Sequence, residues 1–177
     1  KQGAITLASA ACDSAEHLQA KIDSIYGGAG FPVSLSLIAP QLEFVHVPAA
    51  GLPIAGWQVR ACALNHPGTA FGYRVSAQGS TCSLVYLTDH EHGTAQDAQL
   101  VGFARDADLV VWDASYDDRH FAPFKGWGHS TWQEGLRFGQ RCGARCVALS
   151  HHDPARDDAA ATRIEGQLQG HPALLVG

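Results

Sequence analysis

The sequence predicts one layered α/β or α+β domain in which helices cover a sheet. Three observations lead there. The chain is 177 residues long, the size of one compact domain or of a section of a larger one. It is 46% hydrophobic and 16% charged, which supplies a core and excludes a disordered, collagen-like or coiled-coil chain. Its elements run as strands first and then alternate between helix and strand, the order of a sheet with helices packed on it.

The apolar run 3–7 reads as a first strand. Asp13 then offers an N-cap with Glu16 at the capping-box position, and a helix follows to about Ile25 with Leu18, Ile22 and Ile25 on one face. The glycines of 27–30 end it. Residues 42–47 and 57–64 read as strands with 48–56 as the turn between them. Residues 71–77 and 83–88 form a hairpin across Gln78-Gly79-Ser80. From Gly93 the rhythm changes. A short helix opens at Thr94 or Ala95 and runs to Arg105, and 108–113 is a buried strand. Thr131 with Glu134 makes a second capping box, for a helix that Gly143 closes. Strand 145–149, helix 157–169 and strand 173–176 complete the chain, with no internal repeat and no low-complexity linker.

Composition removes several function classes. Lys+Arg 12 against Asp+Glu 17 gives a net charge of −5, which disfavours a broad electrostatic grip on nucleic acid or anionic lipid. No apolar run approaches the roughly 20 residues of a membrane helix. The five cysteines, at 12, 62, 82, 142 and 146, are odd in number and follow no zinc-ribbon spacing, so they are expected as reduced, mostly buried thiols of a cytoplasmic protein. The chain begins at Lys1 without a start residue or signal peptide, and is expected to belong to a longer protein or to be a processed chain.

Ten histidines are many for this size, and they are not evenly placed. His66, Asp89 and His151 each follow a predicted strand end, Asp113 ends another strand, and His129 precedes the helix at Thr131. Adjacent strands that end on one sheet edge bring such residues together. Imidazole nitrogen with carboxylate oxygen suits zinc, manganese or iron, and a carboxylate at Asp113 would orient a histidine by accepting its ring N–H. Taken singly, a histidine at a strand end is more often a polar loop residue and Asp89 more often a turn former; three strand ends that carry ligand-type residues together shift the balance toward a site.

Five motifs go further. Leu64-Asn65-His66-Pro67-Gly68-Thr69-Ala70-Phe71-Gly72-Tyr73-Arg74-Val75 resembles the His-then-Gly-Tyr-Arg segment of the metallo-β-lactamase superfamily, in its ribonuclease Z-like branch. Tyr86-Leu87-Thr88-Asp89 resembles its strand-Gly-Asp-Thr motif, Trp112-Asp113-Ala114-Ser115-Tyr116 its following acidic element, Gly128-His129-Ser130-Thr131 its His-Ser-Thr motif, and Leu149-Ser150-His151-His152 its closing Leu-Thr-His motif. A weaker match that includes Phe31-Pro32-Val33 extends the likeness toward the start. The family's His-x-His-x-Asp-His motif does not occur in this sequence, and His90-x-His92 does not replace it.

The resemblance implies the C-terminal portion of an αββα sandwich, here one domain over 1–177 that lacks its N-terminal portion. It implies His66 and His151 as ligands of two metals, zinc foremost with manganese or iron as alternatives, and Asp89 as the carboxylate bridging them. It implies His129 as the residue that steadies or protonates the reacting phosphate and Asp113 as the acid that pairs with it. The extra groups His90, Glu91 and His92 are expected on an exposed loop or behind the ligands. The implied activity is phosphodiester hydrolysis through a two-metal site, with a small diester such as a cyclic nucleotide favoured over RNA on charge. A non-catalytic regulatory or partner-binding module of the same fold stays open, as does a hydrolase of esters or thioesters, which the His-Ser-Thr motif disfavours. Half a sandwich exposes an inner sheet face, so the chain is expected to pair with an N-terminal segment or, as a dimer, with a second copy. Trp112, Trp127 and Trp132 are candidates for stacking on a base or for packing inside.

Overall fold

The computed structural model describes residues 5–26 and 41–176. The expected helix stop at 27–30 and the motif at 31–33 lie outside them. The described elements form two sheets. Strands β1 (Ile5–Ser9) and β2 (Leu42–His46) pair in parallel, with helix α1 (Ala15–Tyr26) between them in sequence. A seven-stranded sheet holds β3 (Leu52–Ile54), β4 (Trp57–Ala63), β5 (Phe71–Ala77), β6 (Ser83–Leu87), β7 (Leu109–Asp113), β8 (Val147–Ser150) and β9 (Ala173–Leu175), in sequence order across the sheet. Its first four strands are antiparallel neighbours, and β6 through β9 are parallel. Helices α2 (Gln96–Phe103), α3 (Trp132–Cys142) and α4 (Asp158–Gln167) connect the parallel strands.

Local chemistry explains most boundaries. Thr131 caps α3, its Oγ1 accepting the Glu134 N–H at 3.2 Å. The reciprocal half of the box is absent, because the Glu134 carboxylate is engaged by Arg137 and Arg141, each at 2.6 Å. Gly143 closes α3 in the left-handed conformation. At α1 the cap is Ser14 and not Asp13: Ser14 Oγ accepts from His17 N at 3.1 Å, and Asp13 stands one residue too early. The expected turn 48–56 contains a strand, β3, closed onto β4 by the two-residue turn Ala55-Gly56, whose φ values of 48° and 86° suit a tight hairpin. Pro53 fits there because β3 is an edge strand.

Period-two patterning separates the faces of the large sheet. In β6, Ser83, Val85 and Leu87 are buried while Leu84 and Tyr86 are exposed. Val85, Leu87, Val110, Trp112 and Leu149 join Leu100, Phe138, Ile164 and Leu168 from the helical side in one core. The opposite face carries Leu84 beside Leu109, and Trp57 and Val75 line the same apolar groove of about 590 Å³. Tyr73 links this face to the small sheet, its hydroxyl accepting the Ala10 N–H at 3.0 Å. Among the described residues, no helix is long and apolar enough to cross a membrane. All five cysteines are free, with Cys12 and Cys142 buried and Cys82 exposed.

Helix α3 lies close on the sheet because glycine faces it. A Cβ on Gly135 would stand 2.6 Å from Trp112 Cδ1 and 2.8 Å from Leu149 Cδ2. Alanine gains about 1 kcal/mol in helix propensity, but overpacking a stiff buried indole costs about 1–3 kcal/mol. Gly135→Ala is therefore expected to destabilise by up to about 2 kcal/mol in urea unfolding. Gly166→Ala in α4, where a Cβ meets nothing within 4 Å, should be neutral or stabilising.

Candidate metal and catalytic site

The parallel strands deliver the site. The C-terminal ends of β6, β7 and β8 lie side by side, so Asp89, Asp113 and His151 emerge on one edge. Asp89 and His151 both hold positive φ, 60° and 58°. Left-handed backbone at a non-glycine residue costs of order 1 kcal/mol or more and persists where surrounding contacts enforce it.

Those contacts converge on Asp113, whose carboxylate is fully buried. Its Oδ2 accepts the Asp89 N–H at 2.9 Å and the His129 Nδ1–H at 2.9 Å. Its Oδ1 accepts the backbone N–H groups of Ser115 and Ser130, each at 3.2 Å. The Ser115 hydroxyl sits 2.8 Å from both Asp113 Oδ1 and the His151 carbonyl oxygen. One carboxylate thus fixes the turn after β6, the turn after β7 and the loop before α3.

Four of the five predicted site residues form a tight group: one ligand-type atom from each of Asp89, Asp113, His129 and His151 lies within 4.8 Å of the others. His151 Nε2 stands 3.2 Å from Asp89 Oδ1, and its Nδ1 stands 3.3 Å from Ser115 Oγ. With Nδ1–H donated to the serine, a nitrogen lone pair and a carboxylate oxygen face each other, which calls for a cation or proton between them. Two ligands of one tetrahedral zinc, each about 2.1 Å from it, stand about 3.4 Å apart, so the pair fits a shared divalent ion. His129 differs. Its Nδ1 is committed to Asp113, and its ring stacks on His151 with centroids 5.0 Å apart, leaving Nε2 for another partner.

His66 stands outside the tight group. Its ring packs edge-on against His129 at 5.6 Å, and its Nδ1 accepts the Gly68 N–H at 3.1 Å. In a neutral ring Nε2 then carries the hydrogen, so a ligand role requires the other tautomer or a turned ring. Gly128 permits this packing, since a Cβ there would stand 2.2 Å from His66 Cδ2.

Of the two places expected for the run after Asp89, an exposed loop or behind the ligands, the structure excludes the exposed one. His90 is fully buried against the Trp112 ring; its Nδ1 accepts the Asn65 N–H at 3.2 Å, and its Nε2 lies 3.3 Å from Asp97 Oδ1. Glu91 Oε2 accepts the backbone N–H groups of Gly126 and Gly128, at 2.7 and 2.9 Å. His92 stacks on Phe121, and burial holds its pKa below the ordinary histidine value. This run therefore latches the loop 120–130 against the strand edge. The sequence gives Ser115 no separate role and Glu91 no partner, whereas the structure gives both a bracing one. The pair Gly126 and Gly128 was the available signal, because closely spaced glycine amides need an acceptor. The tryptophans divide: Trp112 and Trp132 are buried, whereas Trp127 is 60% exposed at the loop tip.

A family model for the β-lactamase superfamily domain matches residues 9–152. No curated protein matches the sequence. Among solved structures, the metallo-β-lactamase fold protein YhfI from Bacillus subtilis aligns with 77% of this chain and 54% of its own, at 14% identity and a TM-score of 0.63. The short form of human tRNase Z aligns with 99% of this chain and 66% of its own, at 18% identity and a TM-score of 0.65. A diphosphatase of the PhnP family aligns with 98% and 56%, at 17% identity and a TM-score of 0.65. The chain spans between half and two thirds of the length of these structures, and the likeness at such identities is one of fold.

Asp113→Asn is expected to cost on the order of 3 kcal/mol in urea unfolding. An amide accepts on one oxygen only, and its NH₂ would face buried N–H donors. Asp89→Asn, with its side chain 45% exposed, should move stability little. Glu91→Ala should strip two amides of their acceptor, so hydrogen exchange at Gly126 and Gly128 is expected to accelerate at least about tenfold while the α3 amides keep their protection.

Proposed function

The chain belongs to the β-lactamase superfamily and has the metallo-β-lactamase fold, and from that premise we propose that it is a metal-dependent hydrolase of phosphodiester bonds, of the ribonuclease Z-like kind. One observation carries the reading: an Asp89–His151 pair spaced for a shared divalent ion lies beside a histidine, His129, that Asp113 orients separately. A ligand pair alone would serve any metal site. A neighbouring imidazole with Nδ1 tied and Nε2 available is what transfer of a phosphoryl group adds.

In this reading Asp89 and His151 hold the metal, zinc foremost with manganese or iron as alternatives. What the metal supplies when bound is Lewis acidity and a water acidified toward neutral pH. The chain's own residues do the rest. Asp113 keeps the His129 proton on Nδ1 and stabilises the imidazolium that forms when Nε2 is also protonated. His129 Nε2–H then donates to a phosphoryl oxygen that gains charge, or to the departing alkoxide. The fully buried Asp113 excludes water from its side of the imidazole, which strengthens that hydrogen bond.

The small diester remains the favoured substrate class over RNA, since 12 basic residues against 17 acidic ones give no broad basic surface. A second ion would use His66 together with ligands that the described residues do not include. We assign those to a segment outside this sequence or to a second copy, seated on the apolar sheet face around Leu84 and Leu109. The five free thiols suit a reducing, cytoplasmic compartment. The same incompleteness favours a second reading, a non-catalytic binding module of this fold, which the metal content of the purified protein separates from the enzyme.

In the complete protein, Asp89→Ala is expected to lose metal and turnover together. His129→Ala should keep the metal and lose about 10²–10⁴-fold in rate, because its ring acts on substrate and not on the ion. Elemental analysis and hydrolysis of bis-p-nitrophenyl phosphate check both. Loss of metal in His129→Ala, or undiminished turnover, overturns this division of roles.

A further inference from the structure

Arginines in this chain are mostly committed. Arg74 donates to the Phe103 and Arg105 carbonyls and to Ser83. Arg137 pairs with Asp118 and Glu134, Arg141 with Glu134, and Arg145 with Asp108. Arg60 lies over the Phe103 ring. Apart from Arg105, which lies elsewhere on the surface, Arg119 and Arg163 are different: among the described residues neither guanidinium makes a hydrogen bond, an ion pair or a ring contact. These two line one surface pocket of about 340 Å³, between the loop 117–120 and helix α4.

A third guanidinium completes the pocket. Arg156 is anchored from behind, donating to the Ala114 carbonyl at 2.9 Å and the Ser115 carbonyl at 3.0 Å. Only one carboxylate lines the space, that of Asp117, and it is already occupied by His120 Nδ1 at 2.9 Å and by the backbone N–H groups of Arg119 and His120. Asp153 acts on Arg156 but lies outside the lining. Three guanidiniums against one engaged carboxylate make a local excess of positive charge on a chain of net charge −5.

A guanidinium presents a planar fork of donors that matches an oxyanion two bonds at a time. We propose that this pocket binds a small phosphate-type oxyanion, held between Arg119 and Arg163 and against Arg156. The volume suits a phosphate or a small phosphorylated solute and is too small for a folded partner. The site is distinct from the metal group, although Arg156 braces the turn that carries Ser115. It stands on charge and geometry alone, whatever the fate of the hydrolase reading.

Titration with inorganic phosphate at low ionic strength, followed by calorimetry, tests it. The wild-type protein is expected to bind saturably, and more weakly as salt rises. The double variant Arg119→Gln/Arg163→Gln should bind about tenfold more weakly or worse, with an unchanged melting temperature, because both side chains are exposed and unpaired. Arg145→Gln removes one positive charge outside the pocket and should bind as wild type, and so should Asp89→Ala at the metal group. Absence of saturable binding, equal affinity in the double variant, or loss of binding in Asp89→Ala overturns the proposal.

Discussion

The site depends on one buried carboxylate. Asp113 ends a central strand where no water reaches it, and an ionised group there persists only if donors replace its hydration. Those donors come from three separate segments: Asp89 after β6, Ser115 after β7, and Ser130 with His129 before α3. Satisfying the charge and assembling the site are therefore the same event. The chain cannot place the carboxylate without also bringing in the loops that carry Asp89, Ser115 and His129.

Around that anchor the backbone is held in conformations it would not choose alone. Asp89 and His151 sit in the left-handed region after β6 and β8, on either side of β7, and both are tied through Asp113 or the nearby Ser115. Glu91 acts similarly farther from the Asp89–His151 pair, collecting the amides of Gly126 and Gly128 and pressing the loop against His66. The loop that bears His129 is thus pinned at both ends, by Glu91 on one side and by the Thr131 cap and Asp113 on the other. Such bracing lets an imidazole hold one orientation while its outer nitrogen stays accessible.

The two faces of the large sheet serve different ends. Helices bury one face around Trp112 and Phe138, whose rings stack at 4.5 Å, and the Trp112 indole N–H is satisfied by the Thr131 carbonyl. The hydrophobic core thereby reaches to the residue next to Asp113 and gives the site a rigid floor. The other face keeps apolar residues such as Leu84 at its surface, and Tyr73 reaches from it toward the small sheet.

Sequence alone determined the element order apart from β3, the Thr131 cap, the Gly143 stop, and the placing of Asp89, Asp113 and His151 at strand ends and of His129 before α3. These are local properties: periodicity, capping chemistry and punctuation operate over a few residues. It misplaced what depends on distant partners. Ser14 displaced Asp13 as a cap because of where α1 begins, and β3 emerged from an expected turn because β4 offers it an edge. His90 reads as a polar loop residue until Asn65, Asp97 and Trp112 enclose it. His66 carries the right residue type at the right strand end, yet its ring faces His129 and Gly68. Only the tertiary structure decides such cases, because a side chain's role at a site follows from which lone pair is left over once burial has forced every other polar atom to find a partner.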